Sequence, residues 1–569
     1  MRSLIPKVKI LSAGAAPLVA AFCREIKLRD IIDEMVTWDP KQCRLSPGTL
    51  LEALVINILV ARKPLYRVEE FYSEMNLNVI FGEDEKITAD AFNDDALGRA
   101  LTKLAKAHPN RVYLALALSA INVHNIKTRT VHADTTSISV AGEYDQTDED
   151  RDLLDITYGY SKEHRPDLKQ FLYGLITTSE GIPIFGELCD GNMSDKTWNK
   201  DVLERLQTML PSDDNGQSIY VADSALVTND NLALMSDKKI PFISRLPETF
   251  KISAELKEWA WTENQWQHLG SLVEKKDAAI YQVQSAVREL NGNDYRFIIV
   301  NSSSLDKRKE KSIDKMIDIK KKELIEDCNA LAKREFYCEA DANKALELFL
   351  AKHDTSLFEI NTEIKEERVI KRRVGRPRKD EPISYQIHYR AIPSLVSINE
   401  QFVKELKAKA STFVLITNIL DDNELSPGDV LREYKNQTAV ELSFRFLKNP
   451  VYIDGIYVKN TERVVAIGYV FLMALLIYVL LQRRVRRNLA KETKPLVIPG
   501  KRKSFSPTGA MLLEMLKPLT IITFETDSGC IHQVAENQLN EDIKRLLHLA
   551  GFSEDIYCST NYGRFPHAF

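Results

Sequence analysis

Residues 464–481 read VVAIGYVFLMALLIYVLL, eighteen consecutive residues without a charge. A helix apolar on every side has two homes, a bilayer or the centre of a large protein. Arg483, Arg484, Arg486 and Arg487 follow directly, as basic residues do at the cytoplasmic end of a spanning helix. The run starts only fourteen residues after Pro450, however, and no second run of its length accompanies it. At 569 residues the chain exceeds what one core serves, so it is large enough to enclose such a helix. Burial in protein, with no membrane partner, is the expectation; a membrane anchor is the rival. Near the N-terminus, residues 10–22 after Lys7 and Lys9 imitate a weak secretory leader. Pro17 interrupts it, and an amphipathic pattern (Ile26, Leu28, Ile31, Ile32, Met35, Val36) runs straight on, so it reads as folded structure.

Charge and cysteines exclude more than they identify. Lys and Arg number 77 against 81 Asp and Glu, a net −4, so any nucleic-acid role must rest on local basic patches. Seven cysteines without a CxxC pair argue against a disulfide framework and a zinc module, and for a reducing compartment.

Taken in order, residues 1–125 predict an all-helical domain: 47–62, 68–75 and 96–107 carry apolar residues at helical spacing between Pro, Gly and Asn-Asp breaks. It suits DNA-end binding or dimerisation. Residues 126–246 change texture. TRTVHADTTSISV (128–140) is a β-branched strand carrying Asp134; 171–178 and 182–188 form a hairpin around Ser179-Glu180-Gly181; QSIYVA (217–222) ends at Asp223; and 240–243 is a further strand. With a helix at 200–210 this predicts a mixed α/β sheet, in which ligands collect at strand ends. Residues 247–411 read as an inserted α+β domain, with strands at 278–283, 295–300 and 385–392 and a charged helix over 306–350. Residues 412–490 resume the core with TFVLITNI (412–419) and hold the apolar helix; 491–569 form a tail without a legible role.

SPGDVLREYKNQTAVELSFRFLKNP (426–450) predicts one helix, capped by Ser426, opened by Pro427 and ended by Pro450. At about 100° per residue, Tyr434, Gln437, Glu441 and Lys448 share a sector of about 60°. Such a face suits a metal ion and a phosphate backbone; a solvated polar stripe has the same spacing. Asp134, Asp223 and Glu441 thus stand at three landmarks. Magnesium takes oxygen ligands, commonly a few carboxylates plus substrate phosphate. Spacing alone is weak support, since any long chain offers such combinations.

Local contexts add to it. VHADTTSIS (131–139), GYSKEHRPDLKQ (159–170), GNMSD (191–195), YVADSALVT (220–228), the Tyr434/Glu441/Lys448 spacing, PLYRVEEFY (64–72) and NDDALGRAL (93–101) together resemble bacterial insertion-sequence transposases of the DDE group. That resemblance implies a ribonuclease-H-like core with a large insertion between the second Asp and the Glu. It makes Asp134, Asp223 and Glu441 a catalytic triad for two Mg²⁺ ions, with Mn²⁺ able to substitute. Tyr434, position 437, Glu441 and Lys448 match a Tyr-Arg-Glu-Lys helix signature. Gln437 departs from it: an amide can hydrogen-bond phosphate but supplies no charge. Lys162, Arg165 and Lys169, close behind the first strand, would hold DNA phosphates. Gly375-Arg376-Pro377-Arg378 is similar to an AT-hook core, whose arginines enter narrow minor grooves; a charged loop is the plainer alternative. Trp198, Trp259, Trp261 and Trp266 could stack on bases, with core packing expected for each.

The expectation is therefore a cytoplasmic, nucleoid-associated DNA transposase. It would act on transposon ends and target DNA as a homodimer, by metal-dependent 3′-end cleavage and strand transfer. A structure-specific nuclease and a catalytically weak DNA-binding relative are the alternatives.

Overall fold

The computed structural model describes residues 7–82, 87–140, 154–162, 165–209, 217–273, 278–371, 385–448, 461–526, 529–535 and 538–558. Strand β1 (Lys7–Ser12) precedes helices Ala16–Glu25, Leu28–Met35, Pro47–Val60, Val68–Ser73, Leu77–Phe81, Asp94–Lys106 and Pro109–His124. Then come β2 (Thr130–Val140), β3 (Lys169–Thr178), β4 (Pro183–Cys189), β5 (Ile219–Ala222), β6 (Phe242–Arg245), β7 (Gln267–Ser271), β8 (Ile280–Leu290), β9 (Asn293–Ser302), β10 (Phe358–Ile370), β11 (Tyr385–Ile398) and β12 (Thr412–Thr417). A short hairpin, β13 (Leu496–Ile498) and β14 (Arg502–Ser504), and the pair β15 (Thr520–Thr526) and β16 (Gly529–Val534) lie near the C-terminus.

Nine strands form one mixed sheet in the order β4-β3-β2-β5-β6-β12-β9-β8-β7. The β2–β5 and β5–β6 pairings are parallel and the others antiparallel. Alternation along the central strands feeds two cores. Tyr220, Ala222, Val414 and Ile416 face one; Ile219, Val221 and Leu415 face the other, which is closed by Val430 and Leu431. The chain is thus mixed α/β.

The apolar run lies in the helix Thr461–Leu489. Among the described residues it is the one helix long and apolar enough to cross a membrane, and protein covers 89% of its apolar window. It packs on β4 and on helices Pro47–Val60, Asp94–Lys106 and Pro109–His124. Gly468 permits the close approach: a Cβ there would lie 2.6 Å from Leu188 Cδ2 and 2.8 Å from the Tyr173 hydroxyl. Two of the arginines after the run are bonded at the interface with the N-terminal helices and the β3–β4 turn. Arg483 donates to Glu180 (2.8 Å) and to the His124 carbonyl (3.2 Å), and Arg484 donates to Glu25 (2.6 Å) and lies 4.6 Å over Phe22.

Three expectations change. The N-terminal region is not all helical, because β1 pairs antiparallel with β15 (Lys9↔Thr523), which binds the tail to the chain's start. Tyr557 reinforces this by donating to the Gly14 carbonyl (2.8 Å). The predicted insertion over 247–411 is too wide, since β7, β8 and β9 extend the central sheet. What stands apart is 307–410, whose core includes Leu324, Leu346, Phe349, Phe358 and Ala391 and is separate from the other two. The single helix over 306–350 is two, Lys307–Ala332 and Glu339–Lys352.

Candidate active site

The parallel register of β2 and β5 positions the first two carboxylates. His132 is aligned with Val221, so two residues further on Asp134 comes beside Asp223, just past the end of β5. Each carboxylate is tied to backbone. The Thr135 N–H donates to Asp134 Oδ1 (2.7 Å) and the Ala225 N–H to Asp223 Oδ1 (2.9 Å). Ser244 Oγ, on neighbouring β6, donates to the Asp223 carbonyl (2.7 Å) and fixes the strand end. Both side chains are half-buried. Burial pushes the Asp134 carboxyl up to about 7; nearby Lys162 opposes this, while the Asp223 and Asp195 charges add to it. Burial likewise raises Asp223, against the pull of the Ala225 N–H and of Lys162.

Two of the sequence blocks meet here. Gly159 and Gly191 abut so closely that a Cβ on Gly159 would sit 2.0 Å from the Gly191 carbonyl oxygen. Gln170 Nε2 donates to that same oxygen (2.6 Å) and stitches the blocks together. Their convergence brings Lys162 to Asp195. Lys162 Nζ donates to both Asp195 oxygens (3.2 and 3.0 Å), to the Thr135 carbonyl (2.9 Å) and to Thr135 Oγ1 (3.1 Å). Thr135 Oγ1 in turn bonds Asp195.

The segment carrying Glu441 is not the single helix predicted. Ser426 Oγ does accept from the Asp429 N–H (3.1 Å) and Pro427 opens the helix, but it runs Pro427–Lys435 and a second runs Thr438–Leu447. Between them the Asn436 N–H reaches the Glu433 carbonyl (3.1 Å) and the Ala439 N–H reaches Asn436 (2.9 Å), a turn tightened to i→i−3 bonds. Thr438 Oγ1 takes the Lys435 carbonyl (3.1 Å), competing for an acceptor the continuous helix would use. The shared sector across positions 434–448 assumed one unbroken helix, which this turn interrupts, although Asn436 and Gln437 keep right-handed backbone angles. The first helix is anchored by Glu433, which accepts from Ser179 Oγ (3.0 Å) and lies 3.7 Å from His132 Nε2. Against burial, His132 and Ser179 hold the Glu433 carboxylate below its ordinary range.

Tyr434 is where the three acids are felt together. Its half-buried phenol is raised by burial, lowered by Arg245, and raised by Asp223, Glu441 and Asp134. Glu441 itself is exposed in the first turn of the second helix. Among the described residues no three of His, Cys, Asp and Glu are grouped closely enough to hold a metal ion. The structure thus brings Asp134 and Asp223 side by side and sets Glu441 exposed on the second of the two short helices.

The remaining candidates are dispersed. Gln437 is half-buried in the interhelical turn, and Lys448 is half-buried at the end of the second helix. Arg165 is exposed and grips Asp167 through two hydrogen bonds (2.9 and 2.7 Å). Lys169 begins β3. Arg376 and Arg378 lie outside the described residues. Trp198 is buried and donates to Glu187 (2.8 Å), and Trp261 packs edge-on against Trp266 at 5.4 Å. Sequence reasoning missed Asp195, Arg245 and Glu433; only the GNMSD block carried a signal for the first.

Residues 8–118 match the family described as "Domain of unknown function (DUF4277)". No curated protein matches the chain. A solved structure titled "Cryo-EM structure of piggyBac transposase synaptic complex with hairpin DNA" is 8% identical. The alignment covers 90% of this chain and 82% of that one, with a TM-score of 0.36, too low to carry an argument.

Proposed function

We propose that the chain is a DDE-type DNA transposase of an insertion sequence, cleaving the 3′ ends of its element and joining them to target DNA. The observation that supports this most is the juxtaposition of Asp134, within β2, and Asp223, just past the end of parallel β5. The sheet half β4-β3-β2-β5-β6, an antiparallel meander followed by two parallel strands, is consistent with the ribonuclease-H-like core the sequence leads one to expect.

The residues present fit a magnesium ion. Two adjacent carboxylates suffice when waters and substrate phosphate complete the octahedron. Burial raises the Asp134 carboxyl, and a cation bound beside it would favour the charged form. Asp134 and Asp223 would hold it, and Glu441 would join when DNA is bound. Bound there, such an ion supplies charge neutralisation and activates water for in-line displacement. The chain's own part is orientation. Thr135 and Ala225 aim the carboxylates, Lys162 offsets their charge, and Tyr434, protonated at neutral pH, offers a donor toward phosphate oxygens. On this reading the partners are double-stranded transposon ends and target DNA, engaged by a homodimer in the cytoplasm.

The test uses the full chain, Mg²⁺ or Mn²⁺, and labelled duplex carrying the inverted repeats that flank its gene. Metal-dependent 3′ nicking and strand transfer are expected, each reduced about 1,000-fold or more by Asp134→Asn, Asp223→Asn or Glu441→Gln. Cleavage without joining would make the chain a nuclease. Cleavage that survives Asp134→Asn would end the proposal.

A further inference from the structure

We infer that Asp195 is a positioning residue whose task is to hold the Lys162 ammonium at the mouth of the acidic pair, ready for the phosphodiester that enters there. The inference rests on the transposase reading and adds to it a residue outside the triad. Three observations lead to it. First, the pair is fixed at both ends. The three N–H groups of Lys162 Nζ are shared among four acceptors at 2.9–3.2 Å, two on the Asp195 carboxylate and two on Thr135. A lysine side chain is rich in rotamers, and a single exposed ion pair seldom holds one still. Acceptors on two residues restrict the ammonium far more. Second, the anchor is the residue after Asp134, whose own N–H orients the Asp134 carboxylate (2.7 Å). Any movement of Lys162 or Asp195 is therefore transmitted to β2 at the site. Third, Thr135, which the ammonium grips, adjoins Asp134 on β2, and the register sets Asp134 beside Asp223, so the lysine is held next to the acidic pair.

Asp195 does not fit the role of another metal ligand. Its two oxygens are taken by Lys162 and Thr135, and a cation bound there would have to displace the ammonium. A carboxylate that cancels a lysine's charge also makes poor sense for DNA affinity alone. Its use is directional: it trades some of the lysine's general attraction for one placement, and catalysis by positioning gains most from placement. Asp195 and Lys162 side chains are each 30% exposed, so a phosphate oxygen can reach the ammonium without unfolding its setting.

The experiment compares Lys162→Met, Asp195→Asn, Asp195→Glu and the double variant with the unaltered full-length chain. DNA affinity is read by fluorescence anisotropy in Ca²⁺ across a salt series, Mn²⁺ affinity by electron paramagnetic resonance, and cleavage in Mg²⁺. Lys162→Met should weaken DNA binding about tenfold and lower the salt slope by about one. Asp195→Asn should leave DNA and Mn²⁺ affinity within about threefold yet slow single-turnover cleavage about 10- to 100-fold, with partial rescue in Asp195→Glu. The double variant should cleave no more slowly than Lys162→Met, because the tether acts only through the lysine. Loss of Mn²⁺ affinity in Asp195→Asn as large as in Asp134→Asn would overturn the inference by making Asp195 a ligand. Equal cleavage in Asp195→Asn and the unaltered chain would overturn it as well, while leaving the transposase reading intact. Absence of cleavage by the unaltered chain would remove both.

Discussion

Asp134→Asn should stabilise the metal-free protein, and only at neutral to alkaline pH. The substitution keeps shape and removes charge. In the folded chain burial raises this carboxyl from 3.8 to about 7, so the folded state holds its proton more tightly than the unfolded one. Stability from that proton is fully present below pH of about 4 and is lost as pH rises through about 7. At about 1.4 kcal/mol per pH unit the whole displacement corresponds to about 4 kcal/mol. Asp134 is only half-buried, and water reaching it reduces the effect to about 1–2 kcal/mol. Calorimetry in EDTA should therefore show Asp134→Asn melting higher than the unaltered chain at pH 8, by about 2–4 °C per kcal/mol for a cooperative unit of 150–250 residues. At pH 3, below the carboxyl's ordinary value, the two should melt together. Adding Mn²⁺ at pH 8 should raise the unaltered chain's transition and leave the variant's in place. A difference independent of pH, or a variant less stable at pH 8, would show that Asp134 bears no such penalty.

Three further outcomes follow from the packing. Gly468→Val should destabilise by about 1–3 kcal/mol in urea titration, because its side chain must displace Leu188 and Tyr173 from the face of the apolar helix. Arg484→Ala should lower stability by about 2–4 kcal/mol, since it strands the Glu25 carboxylate between helices and uncovers Phe22; Glu25→Gln in the same background should recover part of it. Replacing residues 305–410 with a short Asn-Gly turn should leave a folded core by circular dichroism and gel filtration, because β9 and β12 are paired side by side with Asn301 opposite Thr412.

Local chemistry made some of the fold legible. The β-branched run around Asp134 became β2, and Gly181 sits at φ +80° in the turn between β3 and β4, where a residue without a Cβ is at ease. The apolar run could be placed because only burial or lipid accommodates it. Other features depend on partners distant in sequence. Nothing in KVKILS announces a strand that pairs with residues some five hundred positions away, and β8 and β9 look the same in an inserted domain as at the end of a sheet. The break at Asn436-Gln437 lies in a stretch of helix-compatible residues, and only the Thr438 side chain hints at competition for the backbone. Asp195 was hidden for another reason: its partner is 33 residues earlier, and two glycine contacts bring them together.

The exposure of Glu441, just past that break, has a physical rationale. Burial already raises the Asp134 carboxyl to about 7, and the charges of Asp223 and Asp195 add to it. A third carboxylate brought against Asp134 and Asp223 without a cation would add repulsion and desolvation with nothing to offset either. Keeping Glu441 exposed on its own short helix avoids that cost, while Glu433, bonded to Ser179 and close to His132, holds the preceding helix against β2. The second helix, Thr438–Leu447, packs against β2 and β3 and so begins near the acids it would have to join. On the proposed reading, a bound cation and DNA would offset that cost and so favour a three-carboxylate arrangement.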